Sequence, residues 1–319
     1  MELGIVADGG PDVGFGHLVR TGALARAFLG RGWEVTYVSW TPEAVSEVAP
    51  ESVSVGAVDS PAAATVRAFD VAVVDTYRVG TDEQRDLRRS VERLGLVEDR
   101  DTRVCCDVLV NGNVYAPALD YEYLGAEPEW CLGTDYLLLR APFRERARRD
   151  PPWRPDPERG LVIMGGSDIN DATPGAVRAF DGLDLAVDVV VGPGFTNHEA
   201  IAAAVEATDA AVTVHERPGN LPDLMFEADL AVSATGSTVY ELLATGTPTV
   251  GIPQADNQVP IAEDLQHRGA LVWADKGKLR ECIEAVATDP DRRRSLREHG
   301  RKLVDGRGPE RVYDRLAEA

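Results

Sequence analysis

Lysine is scarce in this 319-residue chain, because only Lys276, Lys278 and Lys302 are lysines and arginine supplies the other basic side chains. Asp and Glu number 53 against 33 Lys and Arg, a formal net charge of −20. This excess argues against a nucleic-acid partner, since phosphate backbones attract the opposite charge. The composition favours a halophilic protein, whose acidic surface is screened within roughly 3 Å at molar salt. The alternative is an ordinary acidic protein whose charge only aids solubility.

Cysteine and long apolar runs are also lacking. The four cysteines, Cys105, Cys106, Cys131 and Cys282, form no C-x-x-C pair, so neither a zinc site nor a disulfide framework is expected. They are interpreted as small apolar residues in a reducing compartment. No apolar run is as long as a membrane span, and the first residues lack the features of a signal peptide. We therefore expect a cytoplasmic protein without a membrane span; its oligomeric state is left open.

Motifs for metals and for several hydrolase classes are absent from the sequence. The five histidines are scattered, without H-E-x-x-H or a carboxylate cluster at ligand spacing, at positions 17, 198, 215, 267 and 299. There is no P-loop and no G-x-S-x-G elbow. The sequence thus predicts no metal and no cofactor, and it disfavours zinc hydrolases, P-loop ATPases and α/β-type serine hydrolases.

Short apolar strands alternate with helical stretches in the first half. The predicted strands are 4–7, 34–39, 53–55, 71–75 and 108–110, and the predicted helices are 18–29, 62–67 and 81–94. Most of these strands lack polar alternation, as parallel strands covered by helices on both faces do. The alternation predicts a doubly wound α/β sheet.

A proline- and arginine-rich segment, 141–160, interrupts this pattern and is interpreted as a linker, although its arginines could instead bind phosphate. A second series of strands follows at 161–164, 186–191, 212–214, 230–233 and 249–252, with helices between them and a helical tail at 291–316. The chain is therefore predicted to form two Rossmann-like α/β domains, residues 1–150 and 151–319, facing a cleft. Open parallel sheets bind ligands at the carboxyl ends of their strands.

A glycine-rich turn follows the first predicted strand and leads to His17. Gly14 and Gly16 allow positive φ angles and a close approach of the backbone to a ligand. A histidine in the first turn of a helix is favoured as neutral imidazole, the form that can accept a proton from water. His17 is thus a candidate general base; the alternative is that it caps the helix or packs behind the turn. The turn lacks the third glycine of a dinucleotide fingerprint, because Val19 occupies that place.

A second glycine turn, at Gly236, is the candidate anion site. Gly236, Ser237 and Thr238 begin a helix after a strand, where free N–H groups and hydroxyls suit a phosphate. Glu241 lies about one turn further along and could bind a ribose diol. The alternative is a Ser/Thr helix cap with an incidental glutamate.

Two shorter segments are weaker candidates. Gly166 and Ser167 belong to the small-residue turn 165–168 at the end of a strand, which suits either ligand contact or tight packing. Asn257 and Gln258 carry amides that could bind a sugar or pyrophosphate, or could cap the following helix.

Taken together, these motifs resemble the UDP-sugar hydrolases of pseudaminic acid biosynthesis. The matching residues are Asp8, Gly14-Phe15-Gly16-His17-x-x-Arg20, Asp75-x-Tyr77, Asn111-x-Asn113, Leu132-Gly133-x-x-Tyr136-x-Leu138-Leu139-Arg140-x-x-Phe143, Gly165 to Asp168, Gly236-Ser237-Thr238-x-x-Glu241 and Asn257-Gln258. That family removes UDP from UDP-2,4-diacetamido-2,4,6-trideoxy-β-L-altropyranose and has the GT-B glycosyltransferase fold. The resemblance therefore implies a nucleotide-sugar substrate and metal-independent hydrolysis with inversion.

The resemblance also implies roles for individual residues. His17 would activate water, Gly236 and Ser237 would hold the diphosphate, Glu241 the ribose, and Asn257 with Gln258 the sugar or phosphate side. Within the matching motifs, the nucleotide- or substrate-binding positions are Gly14, Gly16, Arg20, Asp75, Tyr77, Gly166, Ser167 and Thr238. The segment 96–101, LVEDRD, departs from the family's paired aspartates, so the sugar is left open. A GT-B glycosyltransferase and a non-catalytic nucleotide-sugar binding protein are the alternative functions.

Overall fold

The computed structural model describes residues 1–10, 14–64, 69–100, 102–275 and 277–318. Its strands are β1 (Glu2–Ala7), β2 (Glu34–Ser39), β3 (Ser54–Ala57), β4 (Val71–Asp75), β5 (Arg93–Val97), β6 (Val108–Asn111), β7 (Glu129–Leu132), β8 (Arg159–Ile163), β9 (Ala186–Val191), β10 (Ala211–Glu216), β11 (Leu230–Ala234), β12 (Thr249–Ile252) and β13 (Val272–Trp273). Its helices are α1 (Gly16–Leu29), α2 (Pro42–Val48), α3 (Pro61–Ala64), α4 (Thr81–Ser90), α5 (Ala141–Ala147), α6 (Ala172–Arg178), α7 (His198–Ala207), α8 (Leu221–Glu227), α9 (Ser237–Thr245), α10 (Val259–His267), α11 (Leu279–Ala287), α12 (Pro290–Leu303) and α13 (Gly308–Ala317).

The chain divides into two compact units. Unit 1 comprises Met1–Ala141 with Gly306–Ala319, and unit 2 comprises Pro142–Asp305. The expected boundary at 150/151 thus differs from the observed one, which lies at the start of α5. The segment 141–160 is also more ordered than a linker: it contains α5, and Arg146 and Arg154 form ion pairs with Asp223 and Asp229 of unit 2.

The sheet of unit 1 is parallel, with the strand order β3-β2-β1-β4-β5-β6-β7. Its central strands are apolar runs buried on both faces, as helix-covered parallel strands require. The chain turns back at β1 and β4, which are neighbours although they are not consecutive in sequence. Ligands of doubly wound sheets bind at such a switch point, outside the carboxyl ends of the strands.

Unit 2 repeats this topology in the order β10-β9-β8-β11-β12-β13, again with parallel pairing. Its switch point lies between β8 and β11. The two doubly wound parallel α/β domains predicted from the sequence are therefore present. In the described part of the chain, no helix combines the length and apolar character that crossing a bilayer demands.

The predicted tail, 291–316, is divided between the units: α12 lies in unit 2, whereas α13 belongs to unit 1, although it was expected in the second domain. In α13, Val312 and Leu316 have no exposed surface and pack in the same core cluster as Phe28 and Leu138. The Trp33 indole also donates a hydrogen bond to the Tyr313 hydroxyl at 3.2 Å. This last helix therefore completes the first core, because its apolar face is buried there.

Several local predictions differ from the structure. The helix predicted at 81–94 ends at Ser90, and β5 follows at Arg93. The elements β7, α6 and β13 were not predicted from the sequence, and β13 is only two residues long. The helix predicted at 62–67 is observed as α3, Pro61–Ala64, and residues 65–67 lie outside the described ranges.

Candidate active site

Asp8 and Asp75 mark the switch point of unit 1. Asp8 follows β1 directly, and Asp75 is the last residue of β4. The strands are paired up to Ala7 and Asp75, so the two carboxylates lie at the same edge of the sheet. Both are buried, with 2% and 0% of their surfaces exposed. Buried carboxylates require hydrogen-bonded or charged partners, and α1 supplies one for each.

His17 is the partner of Asp8. It lies in the first turn of α1 and is 6% exposed, and its Nδ1 is 3.3 Å from Oδ1 of Asp8. A carboxylate can only accept a hydrogen bond, so Asp8 selects the tautomer that carries the proton on Nδ1. The lone pair of Nε2 is then free to accept a proton, as a general base requires.

Asp8 is held in its ionised form by several donors. Burial raises the pKa of Asp8, but hydrogen bonds from His17, Thr76 and Arg78 outweigh it and lower the pKa to about 2. The Arg78 Nε donates to Oδ2 at 2.8 Å, so the two carboxylate oxygens serve different partners. The carboxylate is thus a fixed acceptor for the imidazole.

The glycine turn before α1 has the conformation that its composition allows. Gly10 and Gly14 exchange backbone hydrogen bonds at 3.1 and 2.7 Å, and both have positive φ, +140° and +83°. Gly14 and Gly16 are exposed, and among the described residues beyond their chain neighbours and the backbone of α1, no atom lies within 4 Å of a methyl group added at either. Residues 11–13 of this turn lie outside the described ranges.

Arg20 and Asp75 bind each other. Arg20 Nε and Nη2 donate to the two oxygens of Asp75 at 2.7 and 2.6 Å, a bidentate pair one turn beyond His17. The pKa of Asp75 is raised by burial and lowered by Arg20, with burial the larger effect. Asp75 has no exposed surface and pairs with Arg20 of α1, and its predicted role in ligand binding stays a prediction.

Tyr77 lies beside the imidazole and is half exposed. Its ring meets that of His17 edge-on, with the centroids 4.8 Å apart, and the Arg100 guanidinium covers it at 4.1 Å. The Tyr77 hydroxyl donates to Asp99 at 3.0 Å. Burial and the charge of Asp99 raise the pKa of Tyr77 to about 12, so it remains a neutral phenol. Tyr77 can therefore contact a ligand next to His17.

In unit 2, the loops after β8, β9 and β11 converge at the switch point. Gly192 must be a glycine, because a Cβ there would lie 2.6 Å from the carbonyl oxygens of Gly165 and Gly166. Thr238, in the first turn of α9, lies against Gly165, since a Cβ on Gly165 would be 3.6 Å from its hydroxyl. Gly166 and Ser167 are exposed at the same turn. The structure thus brings together the two small-residue turns that the sequence identified.

The start of α9 is an open helix terminus. Gly236 precedes it, Ser237 is exposed, and no side chain among the described residues caps it. Its first-turn N–H groups and partial positive charge suit an anion. The Ser/Thr cap considered as the alternative is therefore not observed there.

The Gln258 side chain, just before α10, lies near Gly236 at the start of α9. Gln258 Oε1 accepts from the Gln254 N–H at 3.0 Å, and a Cβ on Gly236 would lie 3.4 Å from Gln258 Nε2. The Gln258 amide therefore faces the helix terminus. Asn257 is exposed in the 3-10 turn Asp256–Gln258, and Glu241 is half-buried one turn into α9.

Three further residues near His17 were not selected from the sequence as site residues: Asp8, Arg78 and Asp99. Asp8 was noted in the motif, and its position directly after a buried strand was the available signal. Arg78 and Asp99 follow β4 and β5 closely, but β5 itself was missed. The described residues contain no group of three or more His, Cys, Asp or Glu side chains that could hold a metal ion.

Several known proteins are similar in sequence to this chain. The spore coat polysaccharide biosynthesis protein SpsG of Bacillus subtilis is 26% identical over 98% of this chain and 96% of its own length. The Campylobacter jejuni UDP-2,4-diacetamido-2,4,6-trideoxy-β-L-altropyranose hydrolase is 27% identical, over 54% of this chain and 62% of the hydrolase. The Salinibacter ruber UDP-N-acetylglucosamine–N-acetylmuramyl-(pentapeptide) pyrophosphoryl-undecaprenol N-acetylglucosamine transferase is 33% identical over 46% of this chain and 43% of its own length. No family model matches the chain.

Solved structures define the fold. Acinetobacter baumannii MurG superposes with a TM-score of 0.71 at 14% identity, covering 100% of this chain and 99% of MurG. The glycotransferase of kitacinnamycin superposes with a TM-score of 0.60 at 17% identity, covering 99% of each chain. The predicted GT-B fold is thus confirmed.

Proposed function

We propose that this protein hydrolyses a UDP-activated deoxy-diacetamido sugar, releasing UDP and free sugar with inversion, in nonulosonic (pseudaminic-type) acid or surface glycan biosynthesis. The observation that carries the proposal is the contact between His17 and Asp8 at the switch point of unit 1. The partial similarity to the Campylobacter jejuni hydrolase supports the choice of reaction and substrate.

The chemistry assigned to unit 1 is general-base catalysis. His17 Nε2 removes a proton from water while the water oxygen forms a bond to the anomeric carbon. The bond from that carbon to the diphosphate oxygen breaks, and its electron pair leaves with UDP. Asp8 stabilises the imidazolium that forms, because it is ionised and in contact with Nδ1.

The task assigned to unit 2 is binding of UDP. The N-terminus of α9 and the Ser237 hydroxyl would meet the diphosphate and stabilise its charge as the bond breaks. Glu241 would bind the ribose, and Gln258 with Asn257 the sugar or phosphate side. Gly166, Ser167 and Thr238 would line the same site, and Gly14, Gly16, Arg20 and Tyr77 the site near His17.

Catalysis by His17 and binding of UDP by unit 2 can be tested separately, by product analysis and by the kinetics of variants. Purified protein is incubated with candidate UDP-sugars and no acceptor, and the products are followed by NMR. We expect stoichiometric UDP and free sugar, and His17→Gln should lower kcat about a hundredfold or more with UDP affinity retained. Ser237→Ala should instead weaken UDP binding, and His267→Gln, a change at the end of α10, is the matched control. Full turnover by the His17→Gln variant would exclude the proposed base.

A glycosyltransferase on the same scaffold is the second candidate. It is favoured by the 33% identity to the Salinibacter ruber transferase. His17 would then deprotonate an acceptor hydroxyl instead of water. Donor that stays intact until an acceptor is added would identify transfer. A non-catalytic nucleotide-sugar binding protein is the third, and it predicts binding without turnover and no effect of His17→Gln.

A further inference from the structure

Arg78 makes contacts that the proposed reaction does not yet use. It follows β4 by three residues, and its side chain is half exposed although its Nε donates to buried Asp8 at 2.8 Å. The guanidinium carbon lies 5.7 Å from the centre of the Trp40 ring, and the Arg78 N–H donates to the Thr76 hydroxyl at 3.2 Å. Both the backbone and the side chain of this arginine are therefore restrained.

The contact between Arg78 and Asp8 determines which carboxylate oxygen the His17 imidazole binds and how firmly that oxygen is held. His17 binds Oδ1 of Asp8, and Arg78 binds Oδ2 through a charge-assisted hydrogen bond. Without Arg78, the carboxylate of Asp8 keeps only its hydrogen bonds to His17 and Thr76, so its rotation is less restricted and the Oδ1 contact with Nδ1 loosens. The neutral imidazole is then no longer restricted to the tautomer that leaves Nε2 unprotonated.

We propose that Arg78 is a positioning residue, which locks the Asp8 carboxylate so that His17 is held as the Nδ1–H tautomer. Its effect on catalysis rests on the proposed function, but its effect on the tautomer does not. Other charged groups near the imidazole, namely Arg20, Asp75, Asp99 and Arg100, are paired with each other or with Glu98. Arg78 is the cation that contacts Asp8 directly among the described residues.

The exposure of Arg78 allows a competing role, since its outer nitrogens could bind an anionic group of the substrate. The two roles predict different kinetics. Loss of a substrate contact raises KM, whereas loss of a positioning contact lowers kcat at similar KM. They also differ in the protein without substrate, where a substrate contact has no effect on the imidazole.

The test is the tautomer of His17, measured by long-range 1H–15N NMR on the full chain at about pH 9, where histidine side chains are neutral. The His17 signals are assigned by their loss in His17→Gln. We expect the Nδ1–H tautomer in the unchanged protein and a mixture with the Nε2–H tautomer in Arg78→Gln. The matched control is Arg85→Gln, which makes the same charge change on α4, where Arg85 pairs with exposed Asp82 at 3.0 Å.

Kinetics and rescue complete the experiment. We expect Arg78→Gln to lower kcat about tenfold at similar KM, the loss of one charge-assisted hydrogen bond. Arg78→Lys, or guanidinium ion added to Arg78→Ala, should restore part of the Nδ1–H tautomer. An unchanged tautomer in Arg78→Gln overturns the proposal. If KM is also raised, Arg78 is instead a substrate contact. A tautomer change in a protein that hydrolyses no UDP-sugar refutes the proposed function and leaves this inference standing.

Discussion

Replacing Asp8 with asparagine tests the geometry on which the proposed chemistry depends. The change keeps the shape of the side chain but converts one acceptor oxygen into an NH2 donor. Asp8 receives N–H donors on both oxygens, from His17 on Oδ1 and from Arg78 on Oδ2. The new amide would therefore set its NH2 against a donor in either orientation, or would donate to Nδ1 and force the proton onto Nε2.

The expected loss has a catalytic and a thermodynamic part. A base with its proton on Nε2 cannot accept one from water, and the corresponding change in a Ser-His-Asp triad costs about 10⁴-fold in kcat. We expect kcat of Asp8→Asn to fall about a hundredfold or more. The lowering of the pKa of Asp8 from 3.8 to about 2 corresponds to about 2 kcal/mol of folding free energy at neutral pH.

The pH dependence of that free energy has a definite sign. A carboxylate with a lowered pKa stabilises the folded state above its unfolded pKa, and this contribution disappears as the pH falls from 3.8 towards 2. Urea unfolding should therefore show Asp8→Asn to be about 2 kcal/mol less stable at pH 7, with a smaller difference near pH 3. Asp82→Asn, at an 81% exposed side chain, is the control. A kcat within about threefold of the unchanged protein would refute the assigned role of Asp8.

Two further predictions concern Tyr77 and α13. Because the pKa of Tyr77 is raised to about 12, the tyrosinate absorbance of Tyr77→Phe should match that of the unchanged protein up to about pH 10.5. If the variant instead loses part of the absorbance increase near pH 10, the assigned environment of Tyr77 is wrong. Leu316→Ala should destabilise unit 1 by about 2–5 kcal/mol in urea unfolding, because Leu316 has no exposed surface. Leu303→Ala, at a half-buried residue in α12, is the control; equal losses in both variants would mean that α13 does not complete the core of unit 1.

The fold was predictable wherever a buried apolar run was bounded by turns. The strands at 34–39, 71–75, 186–191 and 249–252 were predicted with their observed bounds. In contrast, β5 was merged into the preceding helix, since two charged residues and no glycine or proline separate Ser90 from Leu94. Gly175 and Pro174 obscured α6, because both are unfavourable in most helical positions.

The sequence predicted which residues belong to the candidate site, but it predicted few of the contacts between them. His17 and the α9 turn follow from local composition. The pairing of Arg20 with Asp75, however, joins residues 55 positions apart, and no local pattern reveals it. The amphipathic pattern of α13 predicts a buried face, but it does not tell which of two cores receives Val312 and Leu316. Such contacts depend on tertiary packing, which a single sequence does not encode locally.

The return of α13 to unit 1 has a consequence for biosynthesis. Unit 2 is one continuous segment, Pro142–Asp305, whereas unit 1 is assembled from both ends of the chain. At about 5–20 residues per second, ribosomes need roughly 9–35 s to deliver α13 after residue 141 has been added. The nascent amino-terminal sheet therefore has part of its apolar surface uncovered until α13 arrives, and a premature stop codon between residues 308 and 316 would damage the half of the protein that was translated first.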